Sequence, residues 1–175
     1  MQDARVKVLL EGRPGSGKTT VAARLAELLQ ESGVVVSGFV THEVREGGRR
    51  IGFELETLDG ARATLAHTSF RGPPRVGKYG VNLEAFERVA LPALEHASRG
   101  VVVIDELGKM ELASRPFCAA VGKIFDSGAS VVATIHVFRH PFTDALKRRR
   151  DVERIRVTPS SRDDLPQQLA EKLVS

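Results

Sequence analysis

The chain has 175 residues, of which 42% are hydrophobic and 27% are charged, and its formal net charge is +4. These values are typical of one globular domain, and no apolar run reaches the roughly 18 residues that a membrane span needs. The single cysteine, Cys118, excludes an internal disulfide bond and a zinc site built from several cysteines. The small basic excess does not by itself indicate a nucleic-acid partner. We therefore expect one cytoplasmic domain over residues 1–175, without membrane contact.

The first predicted strand, Val6–Leu10, leads into a glycine-rich segment and then into an amphipathic helix over Thr19–Gln30. The segment matches the P-loop pattern in the strand–loop–helix context that this motif requires. Its residues are Gly12, Arg13, Pro14, Gly15, Ser16, Gly17, Lys18 and Thr19. Such a loop binds phosphate through backbone N–H groups and the start of the helix. Lys18 is predicted to reach the β- and γ-phosphates, and the Thr19 hydroxyl to bind Mg²⁺.

The second predicted strand, Val34–Val40, is followed by a segment that breaks the alternation of strands and helices. Turn signals at Gly47-Gly48 and Asp59-Gly60 flank an alternating run, Ile51–Thr57, which predicts an antiparallel hairpin extending the sheet. The stretch Thr68–Val81 is rich in glycine, proline and basic residues and is predicted to be a mobile surface loop.

A helix is predicted over Leu83–Ala97, with a kink or break at Pro92, before the third strand, Val101–Ile104. This apolar strand runs into Asp105 and Glu106, which is the form of a Walker B strand, whose aspartate holds Mg²⁺. In a parallel sheet both carboxylates lie at the carboxyl end of the strand, where ligands bind. Asp105 is therefore predicted to bind Mg²⁺, and Glu106 to act as the base that accepts a proton from the attacking water.

Phosphoryl transfer also needs positive charge where negative charge develops. Lys109 lies four residues after Asp105 on the loop that leaves this strand, and it is our candidate for a catalytic cation. The arginines near Arg139 and Arg148 are further candidates, although a solvated helix face explains Arg148–Arg150 better. For Lys109 the alternative of an ordinary surface lysine stays open.

The remaining predicted elements are the helix Ser114–Phe125, the strands Ser130–Ile135 and Val152–Val157, and the helix Asp163–Leu173. Thr134 could sense the γ-phosphate or could be a buried hydroxyl. His136 and His140 lie four residues apart, but Pro141 follows directly and no helical pattern joins them. A loop is therefore predicted there rather than a metal site. The alternation of strands and helices indicates an α/β domain with a mainly parallel sheet.

Four segments resemble the thermostable nucleoside-triphosphatase family. They begin at Gly12, Gly38, Arg75 and Ile104 and read GRPGSGKTT, GFVTHEVREGGRRIGF, RVGKYGVN and IDELGKMEL. The resemblance extends over nearly the whole chain, in order and with compatible spacing. The second and fourth segments are more specific than the P-loop, which many families share. Leu107 stands where isoleucine is common in the family, a departure that does not affect the chemistry.

This resemblance implies a three-layer, RecA-like P-loop NTPase fold with five strands in the order 5-1-4-3-2 and the hairpin beyond strand 2. It implies Mg²⁺-dependent hydrolysis of ATP, GTP, CTP and UTP to the diphosphate and phosphate, with broad base tolerance. It assigns nucleotide binding to Gly12–Thr20, Mg²⁺ to Asp105, directly or through water, and the role of base to Glu106. It does not identify the residue that acts as the electrostatic finger.

Two other functions stay open. A small-molecule or nucleotide kinase would use an arginine-rich lid, for which Phe138–Arg150 is a short candidate, but Glu106 beside Asp105 favours water as the acceptor. A nucleotide-switched RNA-binding module would use a basic rim at Arg45, Arg49, Arg50, Arg71 and Arg75. Aromatic residues make up only 5% of the chain, which argues against recognition of single strands. Nothing in the sequence requires more than a monomer.

Overall fold

The computed structural model describes residues 5–95 and 100–175. Its strands are β1 (Lys7–Glu11), β2 (Val36–Glu46), β3 (Arg49–Thr57), β4 (Arg62–His67), β5 (Arg75–Val76), β6 (Tyr79–Val81), β7 (Val101–Leu107), β8 (Ser130–Ile135) and β9 (Glu153–Arg156). Its helices are α1 (Lys18–Glu31), α2 (Leu83–Glu95), α3 (Arg115–Asp126), α4 (Pro141–Lys147) and α5 (Leu165–Val174), with a 3₁₀ turn at Glu111–Ala113.

All of these strands join one sheet in the order β5-β6-β4-β3-β2-β7-β8-β1-β9. The pairings from β2 through β7, β8 and β1 to β9 are parallel. The pairings from β2 through β3, β4 and β6 to β5 are antiparallel. The sheet therefore consists of a parallel half and an antiparallel half that share β2.

The α/β class is as predicted, but the complete sheet order and its mixed character differ from the expectation of a mainly parallel sheet. The five parallel strands have the predicted neighbours, whereas the antiparallel part has four strands instead of one hairpin. Two of these strands lie in Thr68–Val81, so the prediction of a mobile loop there was wrong. Strands of two and three residues are too short to show alternation in sequence, and they form here because β6 pairs with β4 and β5 pairs with β6.

The helices of the described residues mostly lie where the sequence predicts them. In α2 the chain continues through Pro92 without a break, and the predicted residues 96 and 97 lie outside the described residues. The loop predicted at His136 and His140 is confirmed, and the helix α4, which was not predicted, begins directly after it at Pro141, with the His140 ring accepting a hydrogen bond from the Phe142 N–H. Proline at the first helical position is a start signal that the sequence analysis missed. Within the described part of the chain, no helix is both long and apolar enough to cross a membrane.

Alternate residues of the parallel strands point to opposite faces of the sheet. Val8, Leu10 and Val103 pack against α1 and α5, whereas Leu9 and Ile104 pack in a second core with α2 and α3. Burial on both faces explains why these strands read as continuous apolar runs. Because β1, β7 and β8 are parallel, the loops that follow them meet at one edge of the sheet.

Gly38 in β2 lies opposite Val103 of β7, at the junction of the two halves of the sheet. Its φ is +108°, and a Cβ atom at this position would lie 1.9 Å from the Val103 carbonyl oxygen. We expect Gly38→Ala to lower the free energy of unfolding by roughly 2–5 kcal/mol, because β2 would have to move away from β7 in a strained conformation. Urea unfolding followed by circular dichroism measures this loss.

The matched control is Gly47→Ala in the turn between β2 and β3. Gly47 also has a positive φ, +57°, but nothing lies within 4 Å of a Cβ atom there. This variant should lose only about 1–2 kcal/mol, the penalty for a left-handed residue. Equal losses in the two variants would contradict the close approach of β2 to β7.

Candidate active site

The glycine-rich segment connects the end of β1 to the first turn of α1. Gly15 and Gly17 have φ values of +80° and +101°, which turn the chain into the helix. A Cβ atom at Gly12 would lie 2.9 Å from the Val157 carbonyl oxygen and 2.5 Å from Ser16 Oγ, so a side chain at position 12 would be crowded. The first N–H groups of α1 have no partner within the helix and are available to an anion here.

Lys18 is 8% exposed and extends across the ends of three strands. Its Nζ atom donates to the Gly12 carbonyl oxygen at 2.9 Å and to the Ile135 carbonyl oxygen at 3.0 Å. It also lies 3.3 Å from Glu106 Oε2. An ammonium group has three protons, and each of these contacts can use one. The ammonium group is therefore held at the point where β1, β7 and β8 end.

Asp105 is fully buried, and its carboxylate is held from three directions. Oδ1 accepts hydrogen bonds from Thr134 Oγ1 at 2.6 Å and from Thr19 Oγ1 at 3.2 Å, and Oδ2 accepts one from the Thr41 N–H at 3.3 Å. Burial raises the pKa of Asp105, and these hydrogen bonds and the charge of Lys18 oppose that rise. Of the two roles considered for Thr134, the structure shows the buried hydroxyl, bonded to Asp105.

The hydroxyl of Thr19 and the carboxylate of Asp105 form a pair of oxygen donors at the end of the phosphate loop. The described residues contain no cluster of three or more His, Cys, Asp or Glu side chains that could hold a metal ion. Mg²⁺ in nucleotide enzymes typically takes one or two protein oxygens and completes its shell with water and phosphate. The pair formed by Thr19 and Asp105 fits that pattern.

Glu106 is the carboxylate that faces the open space above the loop. Its side chain is 33% exposed. Burial raises the pKa of Glu106, the positive charge of Lys18 lowers it, and the neighbouring Asp105 raises it. A carboxylate with a raised pKa is a stronger base than an ordinary glutamate.

Glu111 is a third acidic group of this site, and the sequence analysis missed it. It is 5% exposed, and one carboxylate oxygen accepts a hydrogen bond from the Gly108 N–H at 3.1 Å. A Cβ atom at Gly108 would lie 2.8 Å from Glu106 Oε1 and 3.0 Å from Glu111 Oε2, so both carboxyl groups approach this glycine. Burial, and next the charge of Glu106, raise the pKa of Glu111 to about 8. The one local signal for this contact is the spacing of Gly108 and Glu111, because a glutamate three residues after a glycine can close a turn.

A cleft of about 600 Å³, which we call the inner cleft, separates the phosphate loop from β2 and β3. Its walls include Lys18, Thr19, Glu106, Arg50 and Arg162. Arg50 was predicted only as part of the basic rim of the RNA-binding alternative, and Arg162 was not predicted, because each comes from a segment distant in sequence from the phosphate loop.

Arg50 and Arg162 differ in their contacts. The Arg50 guanidinium donates to the Tyr79 hydroxyl at 3.0 Å, pairs with Glu43 at 3.0 Å and lies over the Phe53 ring. The side chain of Arg162 lies across the phosphate loop, since a Cβ atom at Gly17 would be 2.8 Å from Arg162 Cδ. Arg50 is thus anchored to the far wall, and Arg162 packs on the loop itself.

The other predicted cations contact residues outside the set of Lys18, Thr19, Asp105 and Glu106. Lys109 is exposed, and its Nζ atom lies 4.6 Å from the centroid of the Phe138 ring, which in turn stacks on His136. Arg139 pairs with Asp144 at 3.4 Å. The structure therefore brings Lys18, Thr19, Asp105 and Glu106 together and places Lys109 on an aromatic ring beside them.

A family model described as "NTPase" matches residues 7–170. The chain belongs to this family. It is 47% identical over 162 residues to the nucleoside-triphosphatase THEP1 of Thermotoga sp. strain RQ2, a match covering 91% of each chain. It is 42% identical over 173 residues to the human cancer-related nucleoside-triphosphatase, covering 90% of this chain and 91% of that protein.

A solved structure supports the same relationship. The crystal structure of THEP1 from the hyperthermophile Aquifex aeolicus superposes with a TM-score of 0.87 at 35% sequence identity. The match covers 97% of this chain and 100% of that one. The α/β fold with its mixed sheet is therefore the fold of this family.

Proposed function

We propose that this chain is a Mg²⁺-dependent nucleoside-triphosphatase with a RecA-like P-loop fold, acting as a single domain. Its substrates are ATP, GTP, CTP and UTP, which it hydrolyses to the diphosphate and phosphate. The observation that carries the proposal is the convergence at one sheet edge of the Lys18–Glu106 contact, at 3.3 Å, and the Thr19–Asp105 contact, at 3.2 Å. The names of the relatives, both nucleoside-triphosphatases, support the same activity.

Binding of the triphosphate rearranges the contacts of Lys18. Two of its three partners are backbone carbonyl oxygens of Gly12 and Ile135, whereas the third is the side chain of Glu106. The side-chain contact with Glu106 is the one that can break when a phosphate oxygen accepts a hydrogen bond from the ammonium group. Its loss removes the hydrogen bond from Lys18 that helps to lower the pKa of Glu106. Substrate binding thereby makes Glu106 a stronger base at the moment when a base is needed.

The two adjacent carboxylates divide the chemistry between them. Asp105 is fully buried and already accepts hydrogen bonds on both oxygens, so it is unsuited to taking a proton from water. Glu106 reaches the inner cleft and can orient a water molecule and accept its proton. Mg²⁺, held by Thr19 and Asp105, would neutralise charge on the β- and γ-phosphates.

Broad base tolerance is supported by the position of Arg162. Its side chain packs on Gly17 and lines the inner cleft beside Thr20. A planar guanidinium group can stack on any base without reading the edge of the base. Such a contact binds purines and pyrimidines alike.

The test is phosphate release from each of the four nucleotides, with Mg²⁺ and with excess EDTA. We expect comparable kcat/KM values for all four and a loss of at least about a hundredfold with EDTA, since a metal ion supplies several kcal/mol of charge stabilisation. Hydrolysis of only one nucleotide would contradict the base tolerance. Hydrolysis that EDTA leaves unchanged would contradict the role of Mg²⁺.

A further inference from the structure

In the described part of the chain, lysine and arginine side chains line the inner cleft at three places, Lys18, Arg162 and Arg50. The Lys18 ammonium group is already held beside Glu106. Arg162 packs on Gly17 of the phosphate loop itself. Arg50 belongs to β3 on the far wall, so it faces the phosphate loop across the cleft. A triphosphate bound on the loop would therefore lie between the loop and Arg50.

The hairpin of β2 and β3 extends past Asp105 along the wall of the cleft. The Thr41 N–H donates to Asp105 Oδ2 at 3.3 Å, which places this part of β2 beside the proposed metal-binding pair. Glu43 follows two residues later, on the same face of the strand and roughly 6.5 Å further along. Its neighbour across the hairpin is Phe53. Arg50, which pairs with Glu43 at 3.0 Å, therefore lies on the wall that continues from Asp105.

The Arg50 guanidinium group is fixed by contacts on β3 and β6. Nε donates to the Tyr79 hydroxyl at 3.0 Å, and that hydroxyl donates in turn to the Arg50 carbonyl oxygen at 3.3 Å. The ring centroids of Phe53 and Tyr79 lie 5.1 and 5.8 Å from Arg50 Cζ. One Nη group donates to Glu43, and no hydrogen bond within the described residues uses the other. Tyr79 and the two rings therefore hold the group independently of Glu43, with a pair of N–H donors available.

The charge around Arg50 favours an anion. Glu43 Oε1 pairs with Arg50 at 3.0 Å, and Glu43 Oε2 pairs with Arg45 at 2.8 Å, so two guanidinium groups share one carboxylate. Arg50 is part of the described lining of the inner cleft, whereas Arg45 is not. The surplus positive charge therefore acts on an anion in the cleft through Arg50. Fixed donors of this kind stabilise negative charge that develops in a transition state.

We propose that Arg50 is a catalytic residue of the hydrolysis and that its available Nη group donates to the oxygens of the γ-phosphoryl group during transfer. In that step the oxygen of a water molecule forms a bond to the γ-phosphorus, and Glu106 accepts the water proton. The bond from the γ-phosphorus to the bridging oxygen breaks, and its electron pair leaves with the diphosphate. Arginine binds phosphate oxygens through charge-assisted hydrogen bonds. The assignment rests on the proposed hydrolysis and names the cation that the family resemblance leaves open.

Arg50→Ala is expected to lower kcat for ATP hydrolysis by at least about a hundredfold, the usual effect of removing one transition-state donor. Affinity for ADP should be unchanged, because ADP has no γ-phosphate. Arg50→Lys keeps a positive charge but loses the rigid fork that donates to Tyr79 and to phosphate together, so its kcat should lie between those of Arg50→Ala and the parent chain. Steady-state phosphate release with Mg²⁺ and titration calorimetry with ADP measure the two quantities.

Arg45→Ala is the matched control. Arg45 pairs with the same carboxylate, its side chain is 56% exposed, and it is not part of the described lining of the cleft. This variant should keep the kcat and the ADP affinity of the parent. A kcat loss of less than about tenfold in Arg50→Ala, or an equal loss in Arg45→Ala, would overturn the proposal. Loss of ADP affinity in Arg50→Ala would overturn it too, because the residue would then act on the fold or on the α- and β-phosphates.

A transition-state mimic separates a catalytic role from a structural one. Aluminium fluoride with ADP takes the place of the γ-phosphoryl group in transfer, and such mimics bind more tightly than substrates do. The parent and Arg45→Ala should retain ADP through gel filtration when aluminium fluoride is present. Arg50→Ala should bind ADP alone as the parent does but should release it in the presence of aluminium fluoride. Retention at the level of the parent would contradict the role of Arg50.

Failure of the proposed hydrolysis is distinguishable from failure of this assignment. A parent chain that hydrolyses ATP, beside an Arg50→Ala variant with the same kcat, overturns only the role of Arg50. A parent chain that releases no phosphate overturns the nucleoside-triphosphatase proposal, and the contact of Arg50 with a γ-phosphate is then decided by binding. The affinity for the non-hydrolysable analogue AMP-PNP, divided by that for ADP, should fall about tenfold in Arg50→Ala, as for a lost hydrogen bond to a charged group. An unchanged ratio would overturn the contact.

Discussion

Glu106→Gln is expected to lower kcat for nucleotide hydrolysis by at least about a hundredfold, the typical contribution of a general base. Glutamine keeps the size of the side chain and its ability to orient water, but it cannot accept the proton. The loss should appear in kcat, whereas nucleotide affinity should be retained, because Lys18 and the loop N–H groups are unchanged. Steady-state phosphate release and titration with a fluorescent ATP analogue measure the two quantities separately.

Glu43→Gln provides the matched control on the opposite wall of the inner cleft. Glu43 is a carboxylate that lines the same cleft, where Arg45 and Arg50 bind it. It lies away from the Lys18 ammonium group, so its replacement should change kcat little. A similar loss in both variants, or a loss of less than about tenfold in Glu106→Gln, would show that Glu106 is not the base.

Glu111→Gln is expected to make the protein more stable than the parent chain at alkaline pH, by several kcal/mol. The parent must hold a buried carboxylate near Glu106 and Asp105 once Glu111 ionises, and these charges and its burial raise its pKa to about 8. On α2, which packs against this turn, Glu87 accepts a hydrogen bond from Ser114. Glutamine retains an oxygen acceptor for the Gly108 N–H without titrating.

The pH window follows from the two pKa values of Glu111. The unfolded chain releases this proton near the ordinary value of 4.5, and the folded chain near 8. Between these values the folded state binds more protons, so its stability falls as the pH rises. The stability difference between variant and parent should therefore grow from pH 4.5 to 8 and remain constant above pH 8.

Urea unfolding at a series of pH values gives this difference directly. The contributions of groups that titrate in both chains, such as His136, cancel in the difference. Glu84→Gln, in which the replaced side chain is 91% exposed, is the control and should show no such growth. A pH-independent difference for Glu111→Gln would mean that Glu111 ionises in the folded protein as it does in the unfolded chain.

The core of the site could be predicted from sequence because its signals are local. The loop Gly12–Thr19 needs glycines at short spacing between a strand and a helix, and Asp105 and Glu106 follow directly after a buried strand. Parallel strands place their carboxyl ends at one edge, which brings Lys18 to Glu106 and Thr19 to Asp105. No long-range information beyond the parallel arrangement is needed for these contacts.

The residues that sequence reasoning missed depend on contacts between distant segments. Arg162 lies on the loop only because the segment after β9 folds back over Gly17. The surroundings of His136, with Nε2 against Thr143 and Nδ1 buried without a partner among the described residues, exist only because β8 and α4 pack together. Lys109 shows the converse, since its position next to a Walker B strand predicted a catalytic cation and the structure places its ammonium group on Phe138.

The antiparallel half of the sheet also combines a feature with a local sequence signal and features that depend on contacts between strands. Its turn at Gly47-Gly48 was predicted, but β5 and β6 are too short to carry a periodic signal and form only because β6 pairs with β4 and β5 with β6.

The sequence by itself determined the family resemblance, the α/β class, the phosphate loop and the pair of carboxylates, because each depends on residues close together in the chain. The tertiary structure decided the surroundings of that pair: the burial of Glu111 beside Glu106 and the two arginines of the inner cleft. The physical reason is that burial and charge proximity are properties of packed segments. No single segment of the sequence contains them.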